Sequence, residues 1–313
     1  MTRIAVVRGG RSLERKYSLL SGHHVASALR HIGHDVTEVD VDEQLTRSLE
    51  ASDVAFIALH GRDGEDGTVQ LICEALELTY TGSAPRTCHL CFDKGFAKGA
   101  LDAAGIPTAP GFVLSAEAVR RMGAGAALRR AAQRVGHPLV VKPAAQGSAL
   151  GLVVAQRPED LSAAVMEALN YGDRVLLEAF VDGRELSVGV AGPDLRPLTP
   201  VEIRTASGVF DIIARESPGA VDLICPAPLT PDELERVHRI AVDAARTLGV
   251  RDFARVDMRI GAAGPVVLDV KTCPGLSETS IVPLAVAESH VSFDDFVGGI
   301  VEAALWRSAS AGV

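Results

Sequence analysis

The stretch VVLDVKTC, residues 266–273, puts two opposite charges into an otherwise apolar run. Side chains alternate along a strand, so Asp269 and Lys271 share one face. The segment DFARVDMRI, 252–260, precedes it with Arg255 and Asp257 at the same spacing. A three-residue hairpin loop wants glycine in its last, left-handed position, which Ala262, Ala263 and Gly264 satisfy. In that register Asp257 faces Asp269 and Arg255 faces Lys271, with facing Cβ atoms about 4.5–5.5 Å apart. Two buried carboxylates that close repel each other. A divalent cation removes the conflict, and oxygen ligands suit magnesium, which keeps waters and takes phosphate oxygens. Arg255 and Lys271 would then meet anions. The competing reading is a structural network in which Asp257 pairs with Arg255 or Arg259.

The loop KPAAQGSALG, 142–151, has the small residues a phosphate cradle needs, because its backbone N–H groups are unobstructed. It lacks the GxxxxGK[ST] spacing and runs into a strand, so it is not a P-loop. RGGRSLER, 8–15, lacks GxGxxG, which argues against a dinucleotide site. Lys142 and Lys94 stand as further cations at element ends. Taken singly, a tight hairpin and solvated surface lysines explain these features better than a phosphate site does. Cys88 and Cys91 form a lone CxxC without a second pair, the usual mark of two thiols on one helix or loop.

These residues need elements to hold them. The first ninety residues alternate strand and helix: RIAVV, the helix YSLLSGHHVASALRH closed by Gly33, DVTEVDVD, DVAFIALHG, and the helix TVQLICEALEL. That alternation predicts an α/β unit with a parallel sheet, whose ligands gather at the C-terminal strand ends. The loops there are 9–15 and 60–67. From Asp93 the pattern changes to helix, strand, an Ala- and Arg-rich helix over roughly 116–135, a strand pair around 142–151, a helix near 158–170 and the strand RVLLEAFV. Further strands follow, then a helix with Thr230 as N-cap, Pro231 at N1 and Glu233 at N3, the charged hairpin, and a last helix near 292–306. We place boundaries at 1–93, 94–182 and 183–313. The chain of 313 residues is 47% hydrophobic and 23% charged, with net charge −9. That balance speaks against nucleic-acid binding. No apolar run is long enough to cross a bilayer. Five cysteines and a strand starting near Met1 give the expectation of a cytoplasmic protein.

Together these segments resemble the D-alanine–D-alanine ligases of the ATP-grasp superfamily. The resemblance runs nearly end to end, through GGRSLERKYSLLSG, LHGRDGEDGTVQ, DK, VVKPAAQGSALGL, LLEAFVDGRELSV, ARVDM and VLDVKTCPGLSETSIVPLA. It implies an ATP-grasp fold in three domains: an N-terminal parallel-sheet domain and two α+β domains that enclose ATP, with magnesium on the phosphates. It implies phosphorylation of one D-amino acid's carboxylate and attack on the acyl phosphate by a second amine. Lys94 and Lys142 match phosphate-binding lysines. Glu178, Phe180 and Val181 match the adenine segment, and Glu185 matches the ribose-binding acid. Arg255 and the Gly275 amide match the groups that stabilise the tetrahedral intermediate. Asp257 and Asp269 match metal ligands. Glu14, His60 and Ser148 match the first-substrate pocket, and Ser280 matches the serine at the second substrate's carboxylate.

Three positions depart from the resemblance. Lys271 stands where the family has an asparagine ligand. The mobile loop offers Arg215 and Glu216 in place of a Lys-Tyr pair. Tyr17 replaces a valine and is expected to crowd the first pocket. The expected activity is an ATP-dependent ligase for D-amino acids, with D-alanine the default substrate and a homodimer the expected assembly. The alternatives are a specialised relative with another or an intramolecular amine, such as D-cycloserine formation from O-ureido-D-serine, and a non-catalytic nucleotide-binding protein.

Overall fold

The structure is a computed structural model that describes residues 1–122 and 128–311. Its first sheet is parallel, in the order β2 (Asp35–Val39), β1 (Arg3–Val7), β3 (Val54–Ile57), β4 (Thr79–Tyr80). The run Ile4–Val7 is buried throughout, as a parallel strand covered on both faces must be. Ile4, Val6 and Phe56 pack under helix α1 (Arg15–His31) and the C-terminal helix α12 (Phe293–Ala311). Ala5, Val7 and Ile57 face the opposite way, onto α2 (Leu45–Glu50) and α3 (Thr68–Ala75).

Helices α4 (Pro85–Phe92) and α5 (Lys94–Ala103) lead into an antiparallel sheet of order β5 (Gly111–Ser115), β8 (Arg174–Ala179), β6 (Leu139–Pro143), β7 (Val153–Ala155). The helix expected over 116–135 comprises α6 (Ala116–Met122) and α7 (Leu128–Gln133); residues 123–127 between them lie outside the described residues. The helix expected near 158–170 starts as a 3-10 turn, Pro158–Asp160, and continues as α8 (Leu161–Leu169).

The third sheet is antiparallel: β12 (Val221–Ile224), β11 (Val201–Thr205), β9 (Arg184–Ala191), β13 (Phe253–Gly261), β14 (Gly264–Lys271), with β10 (Arg196–Pro197) paired to β9. A short helix, α9 (Ile212–Glu216), lies in the β11–β12 connection. Helix α10 (Pro231–Leu248) covers the back of the sheet through Val237, Ala241, Ala244 and Leu248. It starts as its sequence predicts: Thr230 Oγ1 accepts from the Glu233 amide and the Glu233 carboxylate accepts from the Thr230 amide. Helix α11 (Ile281–Glu288) follows β14. No helix among the described residues is long and apolar enough to cross a membrane.

The charged hairpin has the expected facing pairs, Arg255 with Lys271 and Asp257 with Asp269, but reaches them differently. Its loop is two residues, because Gly261 pairs with Gly264; Gly264 still carries the positive φ, at 110°. The register then shifts between Asp257 and Met258, where Met258 faces Val267 and leaves Leu268 unpaired in a bulge. The shorter loop and the bulge cancel, so the charged ends meet as the longer loop would have placed them. Bulges next to clefts re-aim side chains, and Leu268 lines the cleft described next.

Candidate active site

The front of the third sheet carries the charges. Arg255 and Asp257 alternate onto one face of β13, and Asp269 and Lys271 onto the same face of β14. Arg255 donates from Nε and Nη2 to the two Asp257 oxygens, at 2.8 and 2.6 Å. Ser187 Oγ on β9 also donates to Asp257. The Arg255–Asp257 pairing of the competing reading is therefore present. It fixes the guanidinium as a fork while Arg255 still lines the cleft.

Lys94 comes from the first position of α5, a helix capped by Asp93, whose carboxylate accepts from the Gly95 and Phe96 amides. Its Nζ donates to the Gln146 carbonyl at 2.7 Å and lies 3.3 Å from Asp269. Lys271 lies 3.4 Å from Asp269 and 3.9 Å from Glu65. Burial favours a neutral Asp269, but Lys94, Lys271 and Lys142 outweigh it and hold the carboxyl well below its usual range. Burial also disfavours the Lys271 charge, and Glu65, Asp269 and Glu14 outweigh that, so Lys271 stays an ammonium. Lys142, at the end of β6, pairs at 2.5 Å with Glu178, which also holds Lys98 at 3.2 Å. The Glu178 side chain is thus spent on lysines. Phe180 lies under the Arg259 guanidinium, 4.8 Å away, and Val181 packs against Gly261. The small-residue loop turns back on itself through Ser148 and Ala149, whose φ values are 51° and 54°. Lys94, Lys142, Ser148, Glu185, Phe210 and Leu268 are among the residues that line a cavity of about 100 Å³.

On the first-sheet side, Ser148 Oγ donates to Glu14 Oε1, while Glu14 Oε2 is buried with no hydrogen-bond partner. Gly147 and Gly61 leave the room for it: a Cβ on either would lie 2.2 or 2.8 Å from Oε2. His60 sits behind this wall. Its Nδ1 is 3.0 Å from the Cys273 carbonyl and its Nε2 is 2.8 Å from Ser21 Oγ, which accepts from the Leu276 amide. These bonds hold the turn after β14 against the first sheet. Burial pushes the carboxyl of Glu65, in the 60–67 loop, up to about 7, with Lys271 pulling the other way.

A second cavity of about 280 Å³ lies beyond Arg255, lined by Tyr17, Phe210, Gly275, Ser277 and Ser280 among others. A Cβ on Gly275 would meet Ser280 Oγ at 2.8 Å, so glycine there leaves the Ser280 hydroxyl its place. The β11–β12 connection forms a lid over this cavity. Tyr17 Oη donates to Glu216 Oε1 at 3.1 Å and so joins α1 to α9. The Arg215 side chain lies outside the described residues.

The sequence reading did not single out Glu65, Ser187 or Arg259 as site residues. A carboxylate buried in a cleft-facing loop gives no local signal of its depth. Arg259 could have been found, because its spacing repeats the 255, 257 alternation. Cys88 and Cys91 are buried on α4, with burial pushing the Cys88 thiol up to about 12 and Cys91 well above its ordinary value. Neither is a thiolate near neutral pH. Among the described residues no group of three or more His, Cys, Asp or Glu side chains could hold a metal ion.

Residues 100–302 match the family described as D-ala D-ala ligase C-terminus, and residues 38–83 match D-ala D-ala ligase N-terminus. The chain is 38% identical over 296 residues to the D-alanine–D-alanine ligase of Alkalilimnicola ehrlichii, covering 94% of this chain and 92% of that protein. It is 39% identical over 313 residues to that of Desulforudis audaxviator, covering 97% and 99%. The crystal structure of the Bacillus anthracis D-alanine–D-alanine ligase complexed with ATP superposes with a TM-score of 0.86 at 25% identity, covering 99% of this chain and 100% of that one.

Proposed function

The chain belongs to the D-alanine–D-alanine ligase family, and on that premise we propose how its site divides the work of an ATP-dependent, ADP-forming ligase that makes a carbon–nitrogen bond. Lys94, Lys142 and the backbone of the 144–150 loop hold the phosphates of ATP. Phe180 and Val181 flank the adenine and Glu185 meets the ribose. The first amino acid places its ammonium on Glu14 Oε2 and its carboxylate toward the γ-phosphate. Its carboxylate oxygen attacks phosphorus, ADP leaves, and an acyl phosphate remains. The second amino acid, held at its carboxylate by Ser280, attacks the acyl carbon with its amine, and inorganic phosphate leaves. Arg255 and the Gly275 N–H face the oxygen that gathers charge in that step. The observation that carries this reading is the buried, unpartnered oxygen of Glu14 beside the cationic cleft. A buried lone oxygen is costly without a donor, and a substrate ammonium supplies one.

The donor set fits magnesium. Asp257 and Asp269 face each other across the hairpin, Asp269 is held ionised, and phosphate oxygens would complete an oxygen shell. When bound, the ion neutralises phosphate charge. Lys271 has three donors and no lone pair as an ammonium, so it meets a phosphate oxygen directly and leaves room for one well-held ion. The domains close at 93 and 182, and the family resemblance supports a cytoplasmic homodimer acting on small molecules.

Two D-alanines are the leading substrate pair. A second reading, a D-serine derivative or an intramolecular amine, is favoured by the polar Tyr17–Glu216 bond at the amino-acid cavity. Phosphate release from Mg–ATP with D-alanine, D-serine, O-substituted D-serines or no amino acid tests both. Release with D-alanine alone supports the default, and release only with the larger serines supports the second. No release with any of them would overturn the enzyme reading and leave a nucleotide-binding protein. Manganese titration in the presence of ADP and phosphate should count one tight ion per chain; two would refute the role given to Lys271.

A further inference from the structure

Arg259 follows Asp257 on the cleft face of β13 and is 7% exposed. Its guanidinium gathers three separate segments. It stacks 4.8 Å from the Phe180 ring beyond the end of β8. Its Nη2 donates to the Gly183 carbonyl in the turn into β9, at 3.3 Å, and to the Gly208 carbonyl in the lid. Its Nε is buried without a hydrogen-bond partner, 4.0 Å from Glu185 Oε2. Glu185 in turn lines the nucleotide cavity. Phe210 lines that cavity and the amino-acid cavity alike.

Gly208 is thus tied through the Arg259 guanidinium to the nucleotide end of the cleft, where Glu185 and Phe210 share one wall. The lid, through Phe210 and Asp211, and the loop between β6 and β7 are the two segments lining the nucleotide cavity that lie outside the sheets and helices, so they are the parts of its wall best able to shift around a nucleotide. Nε and Glu185 are left about 1 Å short of a hydrogen bond. A ligand that re-seats Glu185 closes that gap or opens it, and the same guanidinium carries the change to Gly208.

We infer that Arg259 is a positioning residue that couples nucleotide occupancy to the ordering of the lid over the amino-acid pocket. This rests on the ATP-ligase reading and assigns the coupling to one side chain of it.

Hydrogen–deuterium exchange of the 206–214 segment tests it, with and without magnesium and adenosine 5′-(β,γ-methylene)triphosphate. In the wild type the nucleotide should slow exchange roughly tenfold, within the usual range of coupling factors. In Arg259→Met the nucleotide should still bind, within about tenfold, while the slowing falls below about twofold. The KM for amino acid should rise with little change in kcat. Arg259→Lys keeps the charge but not the fork and should give an intermediate slowing; it also serves if the Met variant does not fold. Equal slowing in wild type and variants overturns the proposal, as does a wild-type lid indifferent to bound nucleotide. A wild type that binds no nucleotide in calorimetric titration overturns the ligase reading as well, so the two failures are distinguishable.

Discussion

Around the phosphate site, Lys94, Lys98, Lys142, Lys271, Asp269, Glu178 and Glu65 are joined by five ion pairs of 2.5 to 3.9 Å, and none of these side chains is more than 14% exposed. At the opposite wall the lid meets helix α1 through an exposed hydrogen bond between Tyr17 and Glu216. Both regions use charge, but water is excluded from one and reaches the other. In the first, Coulomb interactions are strong and the geometry is fixed before substrate arrives. In the second, the bond competes with solvent and yields when substrate must pass. On the proposed function, the phosphate end is arranged for chemistry and the lid for traffic. Substitutions in the two regions should therefore differ in size and in which kinetic constant they move.

The largest effect is expected where the fixed network meets developing charge. Arg255→Ala removes a buried cation already aligned by Asp257. Losing one such donor typically lowers turnover by ~10²–10³, and ATP affinity should change far less. Steady-state turnover and nucleotide titration of the variant check this. Unchanged turnover would remove Arg255 from the acyl-transfer step, and a loss seen mainly in ATP affinity would make it a nucleotide ligand.

Glu65 probes the same network through pH. Its carboxyl rises from 4.5 in the open chain to about 7 in the fold, chiefly from burial. A raised folded value means the native state binds the proton more tightly. The stability this contributes is complete below pH 4.5 and is lost as pH rises through 7. At ~1.4 kcal/mol per pH unit, the loss is on the order of a few kcal/mol. Glu65→Gln abolishes the titration, so the wild type's stability relative to the variant should fall between pH 5 and pH 8. Urea unfolding of both proteins at the two pH values measures it, and titrations common to both cancel in the difference. A pH-independent difference would show that Glu65 does not change charge in this range.

How much of this was legible in the sequence differs between the two regions for a physical reason. The hairpin register at 255–271 was readable because charged residues two apart in an apolar strand must share a face. The readout was right although the loop is shorter and Leu268 bulges, since those two errors offset. The capping of α10 was readable because Thr230, Pro231 and Glu233 act locally. Glu178 was read by resemblance only as part of the adenine segment, and the pairs its side chain makes with Lys142 and Lys98 were not foreseen. A backbone position on β8 says little about which long cations fold over it. The tie from Tyr17 to Glu216 spans 199 positions, and no local pattern announces it. Contacts made by irregular segments depend on the whole fold, whereas caps and strand faces do not.

The smallest effect belongs to the lid. Tyr17→Phe keeps the ring that lines the amino-acid cavity and removes only the hydroxyl that reaches Glu216. A hydrogen bond to a charged acceptor is worth ~1.5–3 kcal/mol at most, and exposure cuts this toward the 0–1 kcal/mol of surface pairs. The KM for amino acid should rise about two- to fivefold, since each 1.4 kcal/mol is tenfold. The chemical step, which relies on Arg255 and the buried network, should be unchanged in single-turnover measurements. Where lid opening limits product release, kcat should rise slightly. A fall in the single-turnover rate comparable to that of Arg255→Ala would place the Tyr17 hydroxyl in the chemistry and erase the division between a fixed phosphate end and a yielding lid. A KM for amino acid that does not move would show that Tyr17 and Glu216 merely touch, and that the lid is held from the Arg259 side alone.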